Sequence, residues 1–425
     1  MTTTPWGDAT QLRARRLRPG PGADPAAVTR NQRERMYAAM VAAVAENGYE
    51  ATRVADVVKL SGVSRSAFYK HFEDKLDCFL ATLDETAALA YEQLSKAYDE
   101  NLPWEERLRV VADAFLDLLL EQPAAARLCL VEVYAAGPQA VQRLDLAIFT
   151  AETAVLSAFG ESKERAGMPR DIVRAILGGI LKTVHTRLRR GHEAELIHEL
   201  PQLIDWGLSY HTPGVKLRRP RRRPDRGAAP TPDPTIARER LVTAITETIA
   251  ERGYPDATII EIADRASASL STFYGNFENK EEALLAALDR EREHSLIAFR
   301  AAYDEAPDWP LATRAGIDAL FGFLAADPAG ASVAVVDVFT AGPDALEAGD
   351  QTIHSFQVFL QPALELAPDK PPLVTEAVGN AVYALVYGQI RQDRVEQMRE
   401  LTPTAAFVQL APFVGTAAAC TAANA

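Results

Sequence analysis

Shifted by 205 residues, this chain matches itself without a gap. Arg33-Glu34-Arg35 returns as Arg238-Glu239-Arg240, Gly48-Tyr49 as Gly253-Tyr254, and Phe68-Tyr69 as Phe273-Tyr274. Trp104 returns as Trp309, and Gly137-Pro138 as Gly342-Pro343. From position 33 to 138 there are 36 identities in 106 positions. That is far above chance for an ungapped comparison and marks a duplication. Further on the offset falls to about 202, as a short deletion in the second copy would make it. Whatever the fold is, it must be buildable twice within 425 residues,.

The period inside each copy is helical. Met36, Met40, Val41 and Val44 recur at three- and four-residue steps, as do Val111, Phe115, Leu118 and Leu119,. Pro103, Pro123, Pro138, Pro169 and Pro201 fall between such segments, and no useful strand-like alternation occurs. The pattern predicts an all-α chain with about nine helices per copy. Residues 1–28 read as a flexible N-terminal extension, 29–75 as a first small head, and 76–211 as its helical body. Residues 212–234 read as a linker, 235–280 as a second head, 281–415 as its body and 416–425 as a disordered tail. The linker is rich in Pro and Arg and carries a net charge of +5 over 23 residues. Extended, it reaches roughly 70 Å at about 3.1 Å per residue. Its charge suits a solvated spacer or attraction to phosphates equally.

Composition removes several function classes. The net charge of −13 argues against nonspecific nucleic-acid binding, but the arginines are clustered, at Arg13, Arg15, Arg16 and Arg18 and again in Lys216 to Arg226,. No run of 18 apolar residues is present and the N-terminus has no secretory pattern, so no membrane partner and a cytoplasmic, nucleoid-associated location are expected,. Cys78, Cys129 and Cys420 lack metal-ligand spacing and read as buried thiols in a reducing compartment,. His192-Glu193 with His198 departs from the HExxH zinc spacing, and nucleophile-elbow and phosphate-loop patterns are missing,. Neither catalysis nor a metal or cofactor is expected.

The informative stretch is Thr52 to Lys75. Val54, Val57 and Val58 stripe a short helix, which Ser61-Gly62-Val63-Ser64 breaks. Gly62 suits a left-handed turn position and Ser64 suits the N-cap of a second short helix, Arg65 to His71. Two short helices about a glycine turn make a helix-turn-helix, whose second helix enters the major groove of double-stranded DNA. Phe68 and Phe72 face a core in this reading. Arg65, Ser66, Tyr69, Lys70 and His71 lie on the outside, where hydroxyl, amine and phenol groups suit phosphates and base edges.

The ordered run ATRVADVVKLSGVSRSAFYKHFEDK (Ala51 to Lys75), preceded by Gly-Tyr, resembles the N-terminal domain of the tetracycline-repressor (TetR) family. The resemblance implies a three-helix DNA-binding head, a helical body that binds a small-molecule inducer, and pairing through the last two long helices. By motif position it assigns DNA contact to Thr52, Arg65, Ser66, Ala67, Tyr69, Lys70, His71 and Lys75. It points to a ligand-responsive repressor.

The second copy keeps the frame of this motif and alters its face. Gly62 becomes Ser267, Arg65 becomes Leu270, Lys70 becomes Gly275 and His71 becomes Asn276. Net charge drops from +2 over Thr29 to Lys75 to −2 over Pro234 to Lys280. Ser271, Thr272, Tyr274, Asn276 and Lys280 remain as candidate DNA contacts, with a degenerate structural copy as the alternative.

Glycines interrupt the helical patterns Ile172 to Arg190 (Gly178, Gly179) and Val374 to Arg391 (Gly379, Gly388). Each costs about 1 kcal/mol against alanine, so close helix approach is expected there. Leu196 to Tyr210 and Ala405 to Val414 read as the last helix of each copy. The copies are expected to pair within one chain as a pseudo-dimer, with an ordinary homodimer as the rival. Tyr91, Phe115, Tyr134, Phe149 and His185 are candidate ligand-binding residues of the first body. A non-DNA scaffold or an anti-repressor that pairs with other regulators is the alternative function.

Overall fold

The computed structural model describes residues 2–17, 24–218 and 235–425. Most of the linker (219–234) and residues 1 and 18–23, Arg18 among them, lie outside the described residues. The described chain is helical apart from one two-residue ribbon, Thr3–Thr4 against Gly7–Asp8.

The first head is built by local signals. Asp24 caps the helix Pro25–Ala51 by accepting from the Ala26 and Ala27 amides, with Pro25 at the first helical position,. The chain leaves the helical path at Gly48, φ 75°. Val54–Ser61 follows and ends at Gly62, φ 64°, whose amide donates to Val58 O. Ser64 Oγ then accepts from the Ala67 amide at 3.1 Å and starts Arg65–His71. Phe68 and Phe72 turn inward onto Met36, Tyr37 and Met40, all nearly sealed from water.

The second head repeats the plan with Ala237–Arg252, Ile259–Arg265 and Leu270–Tyr274. Thr258 and Glu261 form a capping box, and Ser269 caps the third helix,. That helix has five residues against seven in the first head. Ser267 holds the left-handed turn position at φ 50°.

Two expectations for the chain ends are corrected. Residues 2–17 pack against the first head: Leu12 is fully buried and the Trp6 ring lies 5.2 Å from Tyr37. Residues 416–423, expected as a disordered tail, belong to the helix Thr402–Ala423, which breaks its path at Gly415 and resumes with Ala419, Cys420 and Ala423 buried. The stretch Val395–Ala423 is also long and apolar enough to cross a membrane, with a mean hydropathy of 1.4 in its best window. Phe407, Val408 and Leu410 are fully buried within the protein, as in the core helix of a bundle.

Two compact units emerge, and they do not follow the repeat. One comprises Met1–Ala158 with Val184–Ile204; the other comprises Phe159–Thr183 with Asp205–Ala425. The second unit therefore joins helical segments of both copies in one core. Within it, the helix Arg170–Arg190 meets the helix Pro372–Arg391 at Gly178 and Gly179. A Cβ on Gly178 would stand 2.2 Å from Ala384 Cβ, and one on Gly179 would stand 2.7 Å from Ala377 O. Asn380 Nδ2 donates to Thr183 Oγ1 at 3.1 Å inside this seam, and Lys182 Nζ meets Asp350 Oδ1 at 2.7 Å with both side chains largely buried. The Tyr210 hydroxyl, sealed from water, donates to Val408 O at 2.6 Å.

The other two glycines behave differently. Gly388 has open space at its Cβ position, and Gly379 meets only Ile353 Cγ2 at 3.8 Å. Helix approach explains the first pair alone. Gly178→Ala should therefore destabilise the chain by roughly 1–3 kcal/mol through overpacking, whereas Gly388→Ala should stabilise it by about 0.5–1 kcal/mol. Thermal melts of the two variants should move in opposite directions.

Candidate nucleic-acid interface

The Arg65–His71 helix presents one polar face to solvent. Arg65, Ser66, Tyr69 and Lys70 are exposed, and the Arg65 guanidinium lies 5.8 Å from the Tyr69 ring centroid. Tyr69 is 48% exposed although its ring packs edge-on against buried Phe68 at 5.4 Å. That contact holds the phenol outward in a defined direction. A helix capped by Ser64 and anchored by Phe68 and Phe72 is thus a rigid carrier for four polar side chains. Ala67 is half-buried against the core.

Three motif residues are occupied inside the protein. Thr52 is 1% exposed, and its hydroxyl donates to Gly48 O at 2.7 Å, so it closes the first helix with its side chain turned into the protein. His71 Nε2 pairs with Gln32 Oε1 at 3.0 Å, and burial, then the cations Arg33 and Lys70, lower its pKa. Lys75 Nζ donates to Tyr49 O at 2.9 Å and to Glu50 O at 3.3 Å, 4.0 Å from the Tyr49 ring centroid. Burial lowers its pKa. Lys75 is a bracket that fastens the Gly-Tyr corner to the long helix Lys75–Ala97.

The second head uses the same bracket. Lys280 Nζ donates to Tyr254 O at 2.6 Å and to Ala257 O at 2.8 Å, above the Tyr254 ring. Asn276 Nδ2 donates back to Thr272 O at 2.8 Å. Ser271 and Tyr274 are exposed, and Thr272 is half-buried. Around them the face is apolar: Ile260, Leu270 and Tyr274 are 60%, 44% and 57% exposed. Its arginines are engaged locally. Arg265 pairs with Glu247 and Glu251, Arg252 with Glu261, and Arg238 donates to Asn276 O. The two heads thus share a scaffold and differ in what they offer a polyanion.

Sequence reasoning missed two exposed cations of the first head, Arg53 and Lys59 on or beside the Val54–Ser61 helix. Neither occupies a signature position of the motif. It also placed the ligand residues in the first body, where Tyr91 is 64% and Phe149 50% exposed and His185 is buried with Nδ1 against Leu130 O. Tyr134 packs edge-on against His185 at 5.6 Å, and Phe115 is half-buried. A cavity of about 120 Å³ lies in the second body. Phe299, Ile317, Leu320, Phe323, Ile353 and Val386 wall it, with Glu291, Arg292, Ser295 and Gln409 among its polar points. Among the described residues no three metal-ligating side chains converge.

The turn geometry gives a direct check on the frame. A serine at φ 50° carries a steric cost of roughly 1 kcal/mol that glycine lacks. Ser267→Gly should raise the urea midpoint or amide protection of the second head. Gly62→Ala should lower stability in the first, because its Cβ would also stand 2.8 Å from Arg13 Cγ.

The family model described as bacterial regulatory proteins, tetR family, matches residues 37–82 and again 241–288. Among curated proteins, the chain is 36% identical over 93 residues to the HTH-type transcriptional activator FasR of Mycolicibacterium smegmatis, a match covering 22% of this chain and 42% of that protein. The chain thus spans about two fifths of the length of this relative. Among solved structures it is similar to the fatty acid degradation regulator FadR from Bacillus halodurans, at a TM-score of 0.39 and 16% identity over 45% of this chain and 97% of that one. It is also similar to the regulator FadR from Bacillus subtilis, solved in complex with stearoyl-CoA, at 0.38 and 21% over 41% and 97%.

Proposed function

Since the chain belongs to the tetR family of bacterial regulatory proteins and carries that family's N-terminal region twice, we propose that it is a cytoplasmic, ligand-responsive repressor whose two unlike heads work as one intrachain pseudo-dimer on chromosomal DNA. The observation that carries the reading is the exposed set Arg65, Ser66, Tyr69 and Lys70 on the rigid Arg65–His71 helix. Such a face supplies phosphate neutralisation and base-edge contacts together, and one good bidentate base contact is worth roughly 1–3 kcal/mol. The second head contributes weaker contacts through Ser271, Thr272 and Tyr274. The seam at Gly178 and Gly179 supports pairing within the chain.

The second body supports the ligand response. The long helix Lys280–Asp304 begins at the Lys280 bracket of the second head, and further along it Leu288, Glu291, Arg292, Ser295 and Phe299 line the cavity. An occupant that displaces this helix alters the bracket that sets the head. The ligand is apolar along most of its length. Its head is neutral or cationic, because a second pocket that shares Leu288 and Arg292 with the cavity is lined by Asp289, Asp344 and Glu347, with Arg292 paired to Asp289 and Glu291 paired to Arg290.

Three outcomes are expected. Wild type should bind DNA around its own gene selectively and with a strong salt dependence, and Arg65→Ala with Lys70→Ala should lower affinity at least tenfold in a mobility-shift titration. Selectivity that survives this double change would sink the reading. Light scattering on a sizing column should give a 46.3 kDa particle, against a stable particle of twice that mass for a chain homodimer. Long-chain alcohols or amines should displace a fluorescent apolar probe at lower concentration than the fatty acid or stearoyl-CoA, and Ile353→Trp, which fills the cavity, should abolish probe binding. The reverse ligand order would remove the argument from the neighbouring acidic pocket.

A further inference from the structure

We infer that residues 2–17 form a docked basic arm of the first head that adds a DNA-phosphate contact beside the reading helix. The inference rests on the DNA-binding reading above and extends the interface beyond the three head helices.

The arm is a built element. Its ribbon places Trp6 against Tyr37, and Leu12 plugs fully into the head core. Asn31 fixes its far end, donating from Nδ2 to Arg15 O at 3.1 Å and accepting the Leu17 amide at 3.2 Å. Arg13 fixes the middle through Nε and Nη2 to Lys59 O, at 3.1 and 2.5 Å, and lies across the Gly62 turn. That turn leads into the N-terminal end of the Arg65–His71 helix, the end that meets base edges in such motifs. Arg13, Arg15 and Arg16 are exposed; Arg15 Nη1 donates to Trp6 O within the arm, and Arg13 carries the cationic surface to Lys59.

A second, independent observation asks for an anion there. Arg35 is 3% exposed, yet its Nε and Nη1 have no hydrogen-bond partner among the described residues. Burial lowers its pKa first, and the nearby positive charge of Arg16 lowers it further; no carboxylate enters the balance. Two guanidiniums brought together without an acid leave a debt that an arm serving only to brace the head would not need. A phosphate oxygen is an acceptor of the right charge for the exposed Arg16, and the buried charge of Arg35 adds to the field that draws it,. DNA is the favoured source because Arg16 lies on the arm that abuts the turn entering the reading helix, while Arg35 belongs to the Pro25–Ala51 helix on which the arm docks.

The test uses the full chain and one operator fragment. Arg15→Gln with Arg16→Gln should lower affinity and flatten the plot of log K against log salt by roughly 0.9 per phosphate lost, about 2 for the pair. Arg15→Lys with Arg16→Lys should restore most of the slope, since point charges still meet phosphates. Arg16→Gln alone, which breaks no hydrogen bond named in the arm, should give about half the effect at an unchanged melting temperature. A slope unchanged in Arg16→Gln and in the double variant would overturn the proposal and leave the arm as a brace. The Arg65→Ala, Lys70→Ala pair on the same fragment separates the two readings: if it abolishes selectivity while the arm variants do nothing, only the arm proposal fails. If wild type shows no selective binding, both fail.

Discussion

The close approach of two helices at Gly178 and Gly179 sets what the rest of the second unit is able to do. Without side chains at these positions the backbone of Arg170–Arg190 reaches Ala377, Ala381 and Ala384 directly. Close packing of backbones brings buried polar groups with it, and each must be satisfied. Thr183 and Asn380 satisfy each other, Tyr210 uses Val408 O, and Lys182 finds Asp350 while lying near the Phe339 and Tyr383 rings. A buried ion pair contributes little net stability but penalises mismatched partners heavily, since either charge left alone is costly. The seam therefore favours one register, and both members of that register are supplied by the same chain.

The heads show what duplication leaves fixed and what it releases. Both keep Gly-Tyr, the paired phenylalanines and the lysine bracket, because these hold three short helices around a small core. Lys75 and Lys280 make the same contact to the tyrosine carbonyl although the heads around them have opposite net charge. Residues that serve only the outward face drifted: a cation became Leu270, another became Gly275, Arg252 and Arg265 were drawn into local ion pairs, and Arg238 donates to a backbone carbonyl. The face lost charge while staying exposed.

Much of this was legible in the sequence where the cause was local. The offset of 205 gave two units, three- and four-residue periods gave helices, and Gly62 and Ser64 announced a turn and a cap that need no tertiary information. What failed depended on which side of a helix faces inward. Thr52 and Lys75 carry the right chemistry for phosphate, but their neighbours consume it. The N-terminal segment looked flexible because it is polar, although Trp6 and Leu12 are an apolar pair that such a segment has no reason to carry unless it docks. The cavity was sought among the aromatics of the first body. It formed where small residues, Gly330, Ala334, Gly349 and Gly379, stand opposite large ones in the second. Small residues leave no periodic signal, so cavities are poorly legible from pattern.

Unequal heads change the physics of operator recognition. Two identical chains are bound by symmetry to present the same face twice, and a change that weakens one head weakens both. Covalent duplication removes that constraint. In the proposed pseudo-dimer the second head would engage DNA at an effective concentration set by its covalent link to the first, so contacts far too weak to act alone would still add to the total once the first head is bound. An arm confined to the first head pushes the balance further in the same direction: most of the phosphate affinity and its salt dependence concentrate at one half-site. The second head is left to modulate. It is also the head joined by a single helix to the apolar cavity. A division of labour between a half that holds DNA and a half that senses ligand follows from where the charge and the cavity are placed.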